Sequence, residues 1–158
     1  MRRCLVFASV PVLLASLVFA SNAPATLWGC WIVKRALSTT NIAALSQKEV
    51  DRIIGTRLVY SSSCVQSRGN VFKSPKFITT VLSDREFFQQ FYYVPLKQLG
   101  IAGSSATMVT VSSAGDRGSA FLGDTVFLGG KSPVIEFQGV FFELGKAQSG
   151  KSKCTCVK

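Results

Sequence analysis

Alternating apolar and polar positions dominate the chain after residue 26 and predict a series of short β-strands. In the first segment, residues 27–37, the side chains of Trp31, Val33 and Leu37 share one parity, and a period of two is typical of a strand with one buried face. Arg35 falls on the same parity, a local conflict that a long side chain relieves by reaching the rim of a barrel. The same pattern predicts further strands over 56–61, 76–82, 107–112, 119–122, 124–128, 133–137 and 140–144.

Two segments carry a helical signature instead. Residues 46–49 and 83–86 each match the capping box, in which a serine and a glutamate three positions later accept hydrogen bonds from each other's backbone N–H groups. The first box predicts a short helix over 47–54 that ends at Gly55, and the second predicts a helix that ends before Pro95. One face of the second helix is aromatic, which favours core packing over a ligand cage; its members are Phe87, Phe88, Phe91 and Tyr92.

These elements together predict the fold class. Many short strands separated by Gly-rich turns are typical of an antiparallel barrel or sandwich. The polar stretch over 61–74 predicts a loop or an irregular hairpin. We therefore expect a mainly β domain, a small antiparallel barrel with two short helices.

The N-terminus has the composition of a secretory signal peptide. Arg2 and Arg3 precede an uncharged and almost wholly apolar stretch over 5–19, and small residues follow it. This order of charge, apolar core and small-residue exit is typical of an exported precursor. A retained N-terminal anchor and a lipid attached at Cys30 are the alternatives.

Three segments follow from this interpretation. A signal peptide occupies 1–25, with cleavage after Ala20 or Ala25; the β-barrel domain occupies 27–147; and a basic, cysteine-containing tail occupies 148–158. No second apolar stretch is long enough to span a bilayer, so no stable membrane span is expected after processing. The mature product is therefore expected to be secreted or periplasmic.

Charge changes this picture little. Removal of the two N-terminal arginines leaves sixteen basic and eight acidic residues, with the basic ones dispersed along the domain and dense only in the tail. A nucleic-acid surface needs a clustered basic stripe on a known module, so no nucleic-acid partner is predicted. The basic excess favours solubility and leaves open a loose attraction to an anionic surface of the cell envelope.

An even number of cysteines survives processing and predicts disulfides, since four cysteines of an exported chain allow three pairings. The four are Cys30, Cys64, Cys154 and Cys156. The sequence does not decide between the pairings. A soft-metal clip at the two tail cysteines is the alternative, but two thiolates without a third ligand nearby make an incomplete site. We therefore predict no metal.

The chain contains no histidine, which removes Ser-His-Asp and Cys-His nucleophile activation and histidine-ligated metal sites. No phosphate-cradling or dinucleotide motif is present either, so no enzyme activity and no cofactor are predicted. Among the carboxylates, Glu136 and Glu143 lie on adjacent predicted strands. Both alternate with large apolar neighbours, so we expect them to face solvent rather than to form a glycosidase pair.

The first strand begins with Gly29, Cys30 and Trp31, a Gly-x-Trp motif that resembles the start of lipocalin-like (calycin) barrels. The resemblance implies that Trp31 plugs the closed end of an antiparallel barrel and that a basic residue after the last strand stacks on it. Lys146 holds that position here, and a cation over an indole contributes about 0.5–2 kcal/mol. The chain also looks similar to small uncharacterised bacterial exported proteins.

The predicted barrel and its resemblance to lipocalins favour an exported, non-enzymatic binding protein for a small apolar ligand. The predicted lining residues, taken from strand parity, are Tyr60, Phe77, Phe127 and Phe137. The alternative is a protein-interaction module, such as an inhibitor of a secreted hydrolase, that uses the loop over 61–74. An open interior favours the ligand, and a solidly packed interior favours the interaction module.

Overall fold

The computed structural model describes residues 24–91, 93–112, 120–147 and 155–156. These residues form nine strands and two α-helices. The strands are β1 Gly29–Thr39, β2 Arg57–Tyr60, β3 Cys64–Ser67, β4 Asn70–Lys73, β5 Lys76–Ser83, β6 Ser105–Ser112, β7 Thr125–Leu128, β8 Val134–Phe137 and β9 Val140–Lys146; the helices are α1 Gln47–Ile53 and α2 Asp84–Gln90. Short 3₁₀ turns span Ala25–Leu27 and Leu96–Leu99.

All nine strands belong to one antiparallel sheet in the order β4-β3-β2-β1-β9-β8-β7-β6-β5. The first and last strands of the chain pair with each other in the middle of this sheet, so the β1–β9 ladder joins its N-terminal half to its C-terminal half. The two edge strands, β4 and β5, do not pair with each other within the described residues, so the sheet is not closed there. The result is a curled half-barrel, and the prediction of a mainly β, barrel-like fold with two short helices is confirmed.

The curl creates an inner core. Val65 of β3 and Val109 of β6 join the same buried cluster, although five strands separate them along the sheet. Such a contact requires a strongly curved sheet, because neighbouring strands lie about 4.8 Å apart. Helix α1 closes one side of this core with Val50 and Ile53.

A second core lies on the outer face of the sheet. Alternate residues of the same strands point to opposite faces, so Val126 belongs to the inner core and Phe127 to the outer one. Phe87 of α2 packs against Phe127 and Phe141, with ring centroids 5.1 and 5.9 Å apart. Phe91 packs against Phe127 as well, so these two members of the predicted aromatic face lie on the outer face of the sheet. Phe88 does not: it is exposed and contacts Tyr93. Tyr92 of the predicted stripe lies outside the described residues.

The conflict at Arg35 is resolved by a β-bulge. Val33 pairs with Leu144 and Arg35 with Glu143, so one extra residue is inserted in β1. A bulge reverses the parity of the residues after it, and Arg35 leaves the apolar face. Its Nε lies 2.7 Å from Oε2 of Glu143, at the exposed surface.

One predicted strand is wrong. Residues 120–124 are irregular rather than extended, and residue 119 lies outside the described range. The Tyr60 hydroxyl donates to the Gly123 carbonyl at 2.8 Å, and the Phe121 amide donates to the Asp124 carboxylate at 3.1 Å. These two hydrogen bonds hold a turn that replaces strand geometry.

The polar stretch over 61–74 forms a hairpin between β3 and β4. Its turn residues, Arg68 and Gly69, both have positive φ, as a tight two-residue hairpin loop requires. Residues 1–23, which hold the predicted signal peptide, lie outside the described residues. Within the part of the chain that the structure describes, no helix has the length and apolar character needed to cross a membrane.

Candidate functional site

Trp31, which the resemblance predicted to plug the end of a barrel, lies in β1 and is contacted by Lys146 of β9. Trp31 is 4% exposed, and its indole N–H donates to the Leu27 carbonyl at 2.8 Å. The Nζ atom of Lys146 lies 3.9 Å from the Trp31 ring centroid and donates to the Trp28 carbonyl at 3.1 Å. Gly29 lies beneath this amine, where an added Cβ would be 3.3 Å from Nζ.

The cysteines form disulfides. Cys64 of β3 is bonded to Cys156 across 92 residues, and Cys30 of β1 is also disulfide-bonded. Cys154 lies outside the described residues. A sulfur held in a disulfide cannot act as a thiolate ligand, so Cys156 is not available for a metal clip. Among the residues that the structure describes, no group of three potential metal ligands occurs.

The four predicted lining residues do not come together as one pocket. Tyr60 and Phe137 are buried in the inner core, whereas Phe127 is buried in the outer core on the other side of the sheet. Phe77 packs edge-on against Trp28, with ring centroids 5.1 Å apart. Strand parity could not separate these residues because both faces of β7 are apolar.

Three of the open clefts at the surface of the described residues differ in the side chains that line them. The first, about 590 Å³, lies between the start of α2 and the following 3₁₀ turn; its carboxylate, Asp84, accepts a hydrogen bond from the Leu96 amide. The second, about 500 Å³, contains Arg35, which is paired with Glu143. The third has about 520 Å³ and a mainly apolar wall, a size typical of ligand sites.

We name this third cavity the hairpin groove. It lies on the outer face of the sheet, at the β8–β9 turn, and is lined by Thr40, Ile42, Ala44, Gln90, Phe91, Glu136, Gln138 and Gly139. The Gly139 carbonyl accepts from the Thr40 amide at 2.7 Å, and the Gln138 carbonyl accepts from the Ala44 amide at 3.0 Å. These bonds fix the loop after β1 against the turn, while the end of α2 supplies the facing wall.

The turn itself explains the shape of the groove. Gln138 and Gly139 have φ of 51° and 82°, the double left-handed geometry of the commonest two-residue hairpin. A Cβ on Gly139 would lie 2.6 Å from Thr40 Oγ1 and 2.8 Å from the Cα atom of Ala43. Only glycine allows the loop to approach this closely.

Glu136 supplies the one charged side chain among the described residues that line the groove. The sequence predicted that it faces solvent; in the structure it is half-buried in the wall of this open groove, beside the loop after β1 and the end of α2. Oε1 accepts from the Gly139 amide at 2.6 Å. Burial raises the pKa of Glu136, the Gly139 hydrogen bond opposes this, and the Asp124 carboxylate adds to the rise.

Thr40 adds a second polar group beside the turn. It is 7% exposed, and its Oγ1 atom has no hydrogen-bond partner among the described residues. A buried hydroxyl without a partner is uncommon, because its desolvation is not compensated. No sequence motif marks Thr40 or Ile42, since the groove depends on a loop that packs against a distant hairpin.

Comparison of the chain with known protein families, with curated proteins and with solved structures finds no match.

Proposed function

We propose that this protein is a non-enzymatic binding protein that works outside the reducing cytoplasm and holds a small apolar ligand in the hairpin groove. The observation that carries the proposal is the groove itself, a cleft of about 520 Å³ with Ile42, Phe91 and Ala44 in its wall. Ile42 is 60% exposed, and an apolar ligand would remove this side chain from water.

The compartment is supported by the cysteines and by the N-terminal sequence. Disulfides persist in oxidising environments and are rare in the cytosol, and the Cys64–Cys156 bond fastens the C-terminal tail to β3. A charged start followed by an apolar stretch is typical of export. Together these features favour a secreted or periplasmic protein.

A fluorescence titration tests the proposal. The neutral apolar probe N-phenylnaphthylamine, whose emission rises in apolar surroundings, is added to the purified, oxidised protein. Ile42→Asn is compared with Ile78→Asn, a matched control because Ile78 on β5 is 58% exposed and lies outside the groove. We expect saturable binding that is lost in Ile42→Asn and kept in Ile78→Asn; no saturable binding, or equal binding by both variants, would overturn the proposal.

A second candidate is the protein-interaction module. It is favoured by one observation, the dense packing of Tyr60 and Phe137 inside the barrel, since a filled interior leaves recognition to the surface. The exposed turn of the β3–β4 hairpin would then carry the contact. The same titration separates the two candidates, because an interaction module predicts no saturable binding of the apolar probe.

A further inference from the structure

The hairpin groove differs in charge from the rest of the molecule. The chain carries 18 basic and 8 acidic residues, yet among the described residues that line this groove the only charged one is an acid, Glu136. The second cleft, by contrast, is lined by three basic residues and one acid, Glu143, which is paired with Arg35; the other two basic residues are Lys97 and Lys131. The groove is therefore a local exception to the basic surface.

The carboxylate of Glu136 also lacks a counter-ion among the residues that the structure describes. Within the described residues its side chain accepts one hydrogen bond, from the Gly139 amide, and forms no ion pair. A half-buried carboxylate without an opposite charge is unfavourable, and a cationic N–H donor relieves this because charge-assisted hydrogen bonds are the stronger kind. The buried Thr40 hydroxyl lies beside the same turn without a partner.

We propose that the hairpin groove takes amphipathic ammonium ligands, with an aliphatic or aromatic body along Ile42 and Phe91 and the cationic head against the Glu136 carboxylate. This inference rests on the proposed function and specifies its ligand class. An alcohol of the same length keeps the apolar contacts but brings no charge. A fatty acid places a second carboxylate beside Glu136, and like charges at close range repel.

Three ligands with the same twelve-carbon tail separate the contribution of apolar contact from that of charge: dodecylammonium, dodecanol and dodecanoate. Each is titrated by displacement of the apolar probe, below its aggregation limit and at 0.15 M salt, where the Debye length of about 8 Å limits repulsion from distant basic residues. We expect ammonium to bind most tightly and carboxylate most weakly. The ammonium should exceed the alcohol by about tenfold or more.

Glu136→Gln keeps the shape of the side chain and removes its charge. We expect this variant to lose about tenfold or more of its ammonium affinity, down to that of the alcohol, with alcohol affinity unchanged. Glu143→Gln is the matched control, because Glu143 lies on the adjacent strand outside the groove and pairs with Arg35. It should leave all three affinities unchanged.

A second variant keeps the test decisive if Glu136→Gln does not fold. Gln138 is an exposed member of the groove, and Gln138→Lys adds a cation that neutralises Glu136; it should abolish the preference for ammonium over carboxylate. If the wild type binds alcohol but gains nothing from the ammonium, or if neither variant reduces the preference for ammonium, the proposed ligand class is wrong, although the groove still binds apolar molecules. If none of the three ligands displaces the probe, the proposed function itself fails.

Discussion

The contact between Lys146 and Trp31 gives the sharpest prediction for stability. Lys146→Met keeps the apolar stem and removes the ammonium group, which lies 3.9 Å from the ring centroid and 3.1 Å from the Trp28 carbonyl. Both interactions join the last strand to the segment at the start of the first. Their loss should therefore weaken the β1–β9 junction, which joins the two halves of the sheet.

The expected magnitude follows from the exposure of Lys146. A cation over an indole near solvent contributes about 0.5–1 kcal/mol, at the lower end of the range. An exposed hydrogen bond from the ammonium to a carbonyl adds about 0.5–1 kcal/mol, because water competes for both partners. The free energy of unfolding should thus fall by about 1–2 kcal/mol, or about 3–6 °C in Tm for a chain of this length.

Urea unfolding followed by tryptophan fluorescence measures this change. Lys48→Met serves as the control, since Lys48 is an exposed residue of α1 and its loss should change the midpoint little. Lys146→Arg should restore most of the stability, because arginine also stacks on indole rings. An equal midpoint for Lys146→Met and Lys48→Met would refute the stacking contact as a source of stability.

Three further changes test other parts of the structure. Gly139→Ala should lower the free energy of unfolding by about 2–4 kcal/mol, from left-handed strain plus a clash with the loop after β1, whereas Gly55→Ala, with open space around its Cβ, should show the strain alone in thermal melting. Tyr60→Phe should cost about 1 kcal/mol in urea, since the buried hydroxyl no longer donates to Gly123. Burial raises the pKa of Glu136, so the folded state binds the carboxyl proton more tightly than the unfolded chain does. The protein should therefore lose stability as the pH rises from the ordinary pKa of the carboxyl group through the raised one. Measured by urea midpoints, Glu136→Gln should be more stable than the wild type by a larger margin at pH 7 than at pH 4.

Local signals predicted the elements well. The capping boxes placed both helix starts, and in the second helix the Ser83 hydroxyl accepts from the Glu86 amide at 3.3 Å. Alternation placed most strands within one or two residues of their observed bounds. These signals work because capping and side-chain parity depend only on near neighbours in the sequence.

Features that depend on distant segments were not predictable in this way. The bulge at Arg35 is defined by the pairing of β1 with β9. The sequence therefore showed that Arg35 falls on the apolar parity, but not that a bulge moves it off that face. Glu136 alternates with apolar residues as a solvent-facing residue would, yet a loop and a helix from elsewhere in the chain half-bury it. The hairpin groove likewise forms from segments that are far apart in the sequence, so no local motif predicts it.

The decisive measurement is the location of the bound ligand. Amide spectra of isotopically labelled protein, recorded during a titration with dodecylammonium, report which residues sense the bound molecule. We expect the largest shifts at Ala44 and Gly139, whose amides lie in the wall and turn of the hairpin groove. If the largest shifts occur at Trp31 and Tyr60 instead, the ligand lies inside the barrel and the hairpin groove is not its site.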